Sequence, residues 1–449
     1  QVRHSGPGPR GRARARASTR ARIAKMAAAA RVQRLAAQVV AAEASPAGIS
    51  GVYIVSAKRT PIGGNGGSLV HVPAIELGSL AIKASLEEAG VPAEEVQECI
   101  MGNVLSAGLG QAPARQAALG AGLPTSTCCT TVNKVCASGM KAVMLAAQNI
   151  MLGQTELAVA GGMESMSNVP YYITGQARAG RGLRYGDQKM LDGVAFDGLS
   201  DPWRGMAMGV YGDLCAREHE ISREAQDAFA AQSYSRARSA HSRGAFAREL
   251  VPVTSPARGA KAGGGGTVVE ADEEVARGKP EAFPGLRPAF DKEGTVTAAS
   301  SSKISDGAAA LLLASGSKAK ALGLRPTARI LSFADAEQEP ERFTTAPAAA
   351  IRLALARAGL RVEDMDAVEI NEAFAVVVLA NSKLLGLDPA RVNVLGGACA
   401  LGHPIGCSGA RIVVTLCTAL EERQGRYGVA AICNGGGGAS ALVVERCLR

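Results

Sequence analysis

The chain has 449 residues, of which 47% are hydrophobic and 20% charged, and its formal net charge is +9. This length and balance predict a folded globular protein with more than one domain, and no apolar run reaches the roughly 18 residues of a membrane span. The excess positive charge lies in residues 1–42, which hold nine arginines, one lysine and no acidic residue. The rest of the chain is close to neutral, so the charge does not indicate a nucleic-acid partner.

Residues 1–45 are predicted to be a disordered basic leader that carries a targeting signal. From Met26 the leader is rich in alanine, with spaced Arg31 and Arg34 and no acid, which is typical of a mitochondrial transit peptide. Residues 31–39 also resemble an amino-terminal peroxisomal signal, so a peroxisomal or cytosolic location is the alternative. The ten cysteines form no C-x-x-C pair, which favours reduced thiols over disulfides or a zinc site.

The first part of the folded chain alternates strand and helix patterns. A strand is predicted at 52–57, and the helix that follows runs from about Ile75 to Ala89 and ends at Gly90, a typical C-cap residue. The next elements, in chain order, are a strand at 99–104, a helix at 112–121, an extended run at 126–131, a helix at 142–153 and a strand at 157–160. This alternation predicts a layered α/β domain with a mixed or parallel sheet.

The carboxyl-terminal third repeats this order. Gly90 corresponds to Gly359 at an offset of 269 residues, and Gly139 corresponds to Gly409 at an offset of 270. The opening strands, around residues 54–56 and 330–332, correspond at an offset of 276. A nearly constant offset over three elements predicts two homologous halves.

The two halves differ by an insertion in the first. In the second half, only a short glycine-rich turn separates the last two strands. In the first half, the strand that corresponds to the last one lies about 145 residues beyond Gly162. An insertion over a duplicated core is a natural lid for a substrate, and a helix capped by Ser222 is predicted within it. The predicted division is a leader at 1–45, a first half at 50–167 with 298–323, an inserted loop domain at 168–297 and a second half at 324–449.

Cys136 lies where the extended run gives way to a helix, in NKVCASGMK (133–141). Unpaired backbone N–H groups and the helix dipole at such a point favour a thiolate over a thiol, so Cys136 is a candidate nucleophile. A packed core cysteine is the alternative, because free cysteines are among the most buried residues. If the two halves pack about a pseudo-twofold axis, the helix after Cys136 meets the helix after Gly406.

Three polar or reactive side chains of the second half are candidates to act with Cys136. The pseudo-twofold packing places His403 opposite Cys136, and a cysteine nucleophile needs a base. Cys433 ends an apolar strand before Asn434 and four glycines, so it is either a core cysteine at a tight turn or a reactive thiol that faces a substrate. Asn371 stands between a strand and a helix, where it is either a helix cap or a carboxamide that fixes a water.

Five strings stand out along the chain: NKVCASGMKA, AGGMESMSN, NEAFA, GGACALGHPIGCSGAR and CNGGGGAS. Together they resemble the thiolase family, in particular its biosynthetic acetoacetyl-CoA thiolases, over about residues 50–447. The resemblance implies a duplicated α/β/α layered core of two similar halves with an inserted loop domain. It also implies that Cys136 carries the acyl thioester, His403 activates Cys136, Cys433 moves the α-proton of a second acetyl-CoA, and Asn371 holds a water that forms an oxyanion hole with His403.

The same resemblance implies the contacts to substrate. The residues implied to bind the coenzyme A and acyl groups are Leu199, Met208, Ser302, Phe374 and Tyr234. Tyr234 matches a tyrosine that helps to bind potassium in animal mitochondrial members, but Cys399 and Ser301 replace small apolar residues of that site. No cofactor is expected to be required, and potassium near Tyr234 is the one candidate ion. The expected partners are acyl-CoA substrates and further copies of this chain, in a homodimer or homotetramer.

The function implied is that of an acetyl-CoA acetyltransferase, which condenses two acetyl-CoA reversibly through an acetyl-cysteine. A degradative 3-ketoacyl-CoA thiolase of broad chain length, with the same four catalytic residues, is the first alternative. A non-catalytic binding protein that acts through its basic leader is the second. The binding protein would lose its function without residues 1–42 and keep it after Cys136→Ala.

Overall fold

A computed structural model of the chain describes residues 50–448, except 174–186, 188 and 258–264. The predicted leader at 1–45 lies outside the described residues. None of the helices in the described part combines the length and hydrophobicity needed to cross a bilayer.

Strands and helices alternate through both halves as the sequence predicts. The strands are β1 (Val52–Arg59), β2 (Gly63–Gly64), β3 (Glu98–Gly102), β4 (Cys128–Val132), β5 (Leu157–Ser165), β6 (Tyr171–Tyr172), β7 (Leu191–Asp192), β8 (Val253–Pro256), β9 (Gly266–Val269), β10 (Ser305–Ser315), β11 (Ala328–Glu337), β12 (Ala367–Ile370), β13 (Tyr427–Asn434) and β14 (Gly438–Arg446). The helices are α1 (Ala74–Ala89), α2 (Pro113–Gly120), α3 (Ser138–Met151), α4 (Met208–Glu218), α5 (Arg223–Ser242), α6 (Glu273–Arg277), α7 (Gly316–Ala321), α8 (Ala346–Ala358), α9 (Ala375–Leu385), α10 (Ala398–Leu401) and α11 (Ile405–Glu422).

The main sheet of the described residues has matching strands on the two sides of its centre, except that β4 at one edge has no counterpart strand. Its strand order is β12-β13-β14-β11-β1-β10-β5-β3-β4, and β2 pairs with β10. The strand pairings match on either side of the central β1–β11 pair. Next to the centre lie β10 on one side and β14 on the other, each antiparallel to both of its neighbours. Farther out, β5 pairs with β3 and β13 pairs with β12, both in parallel. The duplicated α/β fold that the sequence predicts is therefore confirmed.

Details of the backbone repeat between the halves. The ladder of β1 with β10 shifts register between Ile54 and Ser56, and the ladder of β11 with β14 shifts between Ile330 and Ser332. Helices α1 and α8 both end at a glycine in the left-handed region, Gly90 (φ 63°) and Gly359 (φ 67°). Glycine adopts this conformation at little cost, and this explains why the sequence marks both helix ends.

Helices α3 and α11 form the centre of the fold, where they pack on each other and on strands of both halves. They approach most closely at the two equivalent glycines. A Cβ atom at Gly409 would lie 2.4 Å from the backbone nitrogen of Met140, and one at Gly139 would lie 2.7 Å from that of Ala410. Glycine at both positions lets the starts of the two helices meet, which brings the loops before them together.

Gly409→Ala is therefore expected to destabilise the protein by about 3 kcal/mol, since backbone atoms must move to admit the methyl group. Denaturant unfolding of both proteins measures this loss. Gly285→Ala is the matched control, because a Cβ there meets nothing within 4 Å. Equal stability of the two variants would contradict the close approach of the helices.

Buried charges join the inserted segment to the first half. Arg59, at the end of β1, forms two hydrogen bonds with Asp272 (2.7 and 2.9 Å) and one with Glu249 (2.6 Å). His241 of α5 lies 2.9 Å from the same Asp272 carboxylate. The Ser222 side chain accepts from the N–H of Ala225 (3.2 Å) and caps α5 as predicted. The predicted domain boundaries themselves stay a prediction.

Candidate active site

Cys136 is presented by a strained turn between β4 and α3. Val135 has φ +48°, a left-handed conformation that a β-branched residue rarely adopts. Two side chains hold the turn: the Asn133 Oδ1 accepts from the Val135 N–H (2.9 Å), and the Ser138 hydroxyl accepts from the Lys134 N–H (2.8 Å) and donates to the Val135 carbonyl (2.6 Å). Strain that is held in this way at a cysteine indicates a functional position.

The Cys136 side chain is partly buried and its thiol is neutral at rest. Burial raises the pKa of Cys136 to about 12, although the N–H groups of Gly435 and of Cys136 itself face the sulfur and oppose the shift. The prediction of a resting thiolate is therefore wrong. Helix α3 begins two residues later, at Ser138, and the loss of hydration outweighs the amides. A base must remove the proton when Cys136 reacts.

His403 lies in the loop between α10 and α11 with one ring nitrogen ready to accept a proton. Its Nδ1 is 2.6 Å from the Ser408 Oγ, and that hydroxyl donates its single hydrogen to the Pro404 carbonyl at 2.9 Å. The Ser408 oxygen must then accept from Nδ1–H, which leaves Nε2 with its lone pair. Burial, with a smaller effect of the Arg411 charge, lowers the pKa of His403 to about 3.

Asn371 is brought to His403 and is not the cap of a helix. Its Nδ2 lies 3.5 Å from the His403 Nε2, and its Oδ1 lies 3.4 Å from the Arg411 Nη2. The residue that precedes α9 as its N-cap is Phe374. Arg411 thus orients the carboxamide so that a donor points toward His403, and the role of Asn371 in holding a water stays a prediction.

Cys433 is fully buried at the end of β13, close to Cys136. Burial raises the pKa of Cys433, and the charge on a Cys136 thiolate raises it further, so the two sulfurs interact. The turn that follows contains Gly436 (φ +91°) and Gly437 (φ +98°), conformations that favour glycine. This turn carries the Gly435 N–H to the Cys136 sulfur.

Glu164 joins the two halves at the site and was missed by the sequence analysis. Its carboxylate accepts from the N–H groups of Val104 (3.1 Å), Leu105 (3.2 Å) and Gly406 (2.9 Å). Burial raises the pKa of Glu164 to about 7, and the three amides oppose this shift. The available signal was a charged residue inside an otherwise apolar or small-residue strand, LAVAGGMES (157–165).

A cavity of about 230 Å³ opens at His403. Four of the five predicted substrate contacts line it, namely Leu199, Met208, Ser302 and Phe374. Further lining residues that were not predicted as substrate contacts are Met166, Phe290, Ser301, Lys303, Ile304 and Ile405. Cys136 packs against the apolar cluster that contains Ile405. A second cavity of about 530 Å³ shares Met208 and reaches Val135 and Gly435.

Comparison with known proteins identifies the fold. The family model "Thiolase, N-terminal domain" matches residues 52–317, and the model "Thiolase, C-terminal domain" matches residues 324–446. The chain belongs to the thiolase family. Cys136 lies in the amino-terminal domain, whereas His403, Asn371 and Cys433 lie in the carboxyl-terminal domain. Both domains therefore contribute residues to the candidate active site.

This thiolase is similar over most of its length to several acetyl-CoA acetyltransferases. It is 57% identical to acetyl-CoA acetyltransferase 2 of Arabidopsis thaliana, over 88% of this chain and 96% of the relative. A cytosolic acetyl-CoA acetyltransferase of Gibberella zeae is 54% identical, over 88% of this chain and 98% of the relative. A mitochondrial acetyl-CoA acetyltransferase of Xenopus laevis is also 54% identical, over 90% of this chain and 94% of the relative. The crystal structure of the Acat5 thiolase of Ascaris suum in complex with coenzyme A superposes with a TM-score of 0.82 at 45% sequence identity. The superposition covers 88% of this chain and 100% of the Ascaris suum chain.

Tyr234 does not line either cavity of this thiolase. Its ring is 2% exposed, lies edge-on to Phe283 at 5.6 Å and fills the space beside Gly278. The Lys303 ammonium donates to the carbonyls of Ala298 and Ser301, and a potassium ion near Tyr234 stays a prediction of the family resemblance. The described residues also contain no group of three or more His, Cys, Asp or Glu side chains that could hold a metal.

One cysteine of this thiolase has a lowered pKa but lies away from the cavity. Cys129, in β4, is the register partner of Cys99 in β3. A hydrogen bond with the Cys99 thiol and the guanidinium of Arg115, 3.9 Å from the sulfur, lower the pKa of Cys129. A low thiol pKa alone therefore does not identify the nucleophile of this enzyme.

The buried neutral His403 is expected to make this thiolase less stable in acid. A histidine in the unfolded chain has a pKa of about 6.5, above the folded value of about 3. Between these pH values only the unfolded chain binds the proton, so stability is fully present above the unfolded pKa and is lost as pH falls, by up to about 1.4 kcal/mol per pH unit.

Denaturant unfolding measured from neutral to acid pH tests this expectation. The stability of His403→Asn is expected to fall less steeply with pH than that of the wild type. His71→Asn, at an exposed position, is the control and should follow the wild type. Parallel curves for all three proteins would show that His403 titrates normally in the folded state.

Proposed function

We propose that this thiolase is an acetyl-CoA acetyltransferase. It condenses two acetyl-CoA to acetoacetyl-CoA and coenzyme A and catalyses the reverse thiolysis. The observation that carries the proposal is the arrangement of a neutral thiol on a strained turn, a neutral imidazole with a free Nε2, and a second buried thiol beside the first. The two thiols and the base match a reaction that first transfers an acyl group and then moves a carbon-bound proton.

In the first half-reaction the Cys136 sulfur attacks the carbonyl carbon of acetyl-CoA. The thiol proton passes to the His403 Nε2 as the new C–S bond forms. The negative oxygen of the tetrahedral intermediate accepts hydrogen bonds from the N–H groups of Gly435 and Cys136, which face the sulfur in the resting enzyme. The bond to the coenzyme A sulfur then breaks, and coenzyme A leaves as a thiol with the proton that the site returns to it.

In the second half-reaction Cys433 acts as the base. The Cys433 thiol first passes its proton to the His403 Nε2, and the resulting thiolate takes a proton from the methyl carbon of a second acetyl-CoA. The carbon then attacks the acetyl group on Cys136. The enolate oxygen is stabilised by the protonated His403 Nε2 and by a water that the Asn371 carboxamide holds. The bond between the acetyl carbon and the Cys136 sulfur breaks and releases acetoacetyl-CoA, and the Cys136 thiolate takes its proton from the protonated His403.

The size of the cavity at His403 supports a short acyl chain. Phe290 and Phe374 stand edge to face at 5.9 Å along its wall, which Met166 also lines. About 230 Å³ must hold the acyl group and the adjoining part of the pantetheine arm. Leu199, Met208 and Ser302 are proposed to contact that arm.

The chain-length range separates this proposal from a broad degradative thiolase. The kcat/KM for thiolysis is measured with acetoacetyl-CoA and with 3-ketoacyl-CoA substrates of increasing length. We expect acetoacetyl-CoA to be preferred over a medium-chain substrate by about 10²-fold, since the rings block extra methylenes. Equal or higher values for long chains would reject the short-chain assignment.

Two further features of the enzyme are proposals from the sequence. The chain forms a homodimer or homotetramer, which light scattering of the purified enzyme measures directly. The leader directs it to mitochondria, and a fusion of residues 26–49 to a fluorescent protein tests this. Import of the fusion into peroxisomes, or its retention in the cytosol, would favour the alternatives.

A further inference from the structure

The ammonium group of Lys303 folds back onto its own loop. Its Nζ donates to the carbonyl of Ala298 and, at 3.0 Å, to the carbonyl of Ser301. The side chain is partly buried at the cavity wall, and burial lowers the pKa of Lys303, while nearby Cys399 and Glu274 oppose the shift. A partly buried ammonium with two carbonyl acceptors is thus part of the loop.

Lys303 lies in the same neighbourhood as Tyr234. Cys399 and Glu274, which act on the Lys303 ammonium, also raise the pKa of Tyr234 after the larger effect of burial. Two backbone carbonyl oxygens that converge on one point create a negative potential there, and the Lys303 ammonium compensates it.

The loop that Lys303 closes also positions the catalytic residues. The His403 N–H donates to the Lys303 carbonyl at 3.0 Å, and the Ser302 N–H donates to the Ala373 carbonyl at 3.0 Å. The Ala375 N–H donates to the Ser300 carbonyl at 2.8 Å. The loop therefore spans from His403 to the segment that follows Asn371, and its Ser301, Ser302 and Lys303 line the cavity.

We propose that the Lys303 ammonium is a built-in monovalent cation, which occupies the carbonyl ligands that a potassium ion would need and holds the loop 298–303 against His403. The enzyme then works at full rate without potassium. Lys303 is a positioning residue, since it acts through the loop and not on the reacting atoms. The expected changes in kcat and KM rest on the proposed function, whereas the thermal unfolding midpoint is measured without any turnover.

Removal of the Lys303 ammonium, with and without potassium in solution, tests the inference. The kcat, the KM for acetoacetyl-CoA and the thermal unfolding midpoint are measured in potassium chloride and in choline chloride at equal ionic strength. Lys303→Ala opens a space in front of the two carbonyls, whereas Lys303→Met fills the same space without a charge. Lys320→Ala, at an exposed position of α7, is the matched control.

The wild type and Lys320→Ala are expected to show the same activity and unfolding midpoint in both salts. Lys303→Ala is expected to lose about tenfold in kcat/KM in choline, because two carbonyls of the loop lose the donor that holds them together. Potassium should restore its activity and raise its unfolding midpoint, while Lys303→Met stays low in both salts. This pattern distinguishes cation replacement from a purely structural role.

Three results would overturn the inference. They are a wild type that potassium activates or stabilises relative to choline, a Lys303→Ala variant that equals the wild type in choline, and a Lys303→Ala variant that potassium fails to rescue. If Lys303→Ala does not fold, crystals of the wild type soaked in rubidium chloride decide. Anomalous density between Tyr234 and the Ser301 carbonyl would contradict the proposal, and its absence there would support it.

Discussion

Cys136→Ala is expected to lower the rate of acetoacetyl-CoA thiolysis by about 10⁴-fold or more, because no other group can carry the acyl intermediate. The loss should appear in kcat, since the cavity that binds the substrate is left intact. Steady-state kinetics measures the rate, and isothermal titration with coenzyme A checks that the variant still binds. Removal of the thiol is not expected to unfold the protein, because the side chain is only partly buried.

Cys447→Ala is the matched control for this experiment, since Cys447 is also a free and partly buried cysteine but lies near the carboxyl end of the chain. Its activity should equal that of the wild type. Retention of activity in Cys136→Ala would instead show that a different group carries the acyl intermediate.

Cys433→Ala is expected to separate the two half-reactions. The variant keeps Cys136, His403 and the Gly435 N–H, so acetyl-CoA should still acetylate the enzyme. Condensation needs a base at the α-carbon, so its rate should fall by about 10³-fold, at the level typical for loss of a general base. The variant is therefore expected to accumulate acetyl-enzyme when it is mixed with acetyl-CoA.

Exchange of the methyl hydrogens of acetyl-CoA in deuterium oxide reports the Cys433 step alone. The wild type should incorporate deuterium, and Cys433→Ala should not. If Cys433→Ala exchanged at the wild-type rate, the base would have to be a different group, with His403 the next candidate.

The sequence predicts the fold because the duplication leaves clear marks. Gly90 and Gly359 end equivalent helices in the left-handed region, and Gly139 and Gly409 meet where the sequence offset equates them. Each of these positions requires glycine for a local steric reason, so the pattern survives without an alignment. The matched pairing of strands on the two sides of β1 and β11 in the structure reflects the same duplication.

The electrostatic state of the site could not be predicted from the sequence. The sequence places Cys136 before a helix, and this suggests a thiolate, but the pKa depends on how much water the folded chain removes from the sulfur. Glu164, Arg411 and Lys303 were missed for a related reason. Their roles arise from contacts between distant segments, such as that of the Glu164 carboxylate with the Gly406 N–H.

The identity of the acetylated residue tests the central claim most directly. The enzyme is mixed briefly with acetyl-CoA and quenched in acid, and the modified peptide is sequenced by mass spectrometry. We predict a single acetyl group on Cys136, in larger amount in Cys433→Ala, and none on Cys129 despite its lowered pKa. An acetyl group on Cys129 or on any other residue, or no acetyl-enzyme at all, would contradict the mechanism.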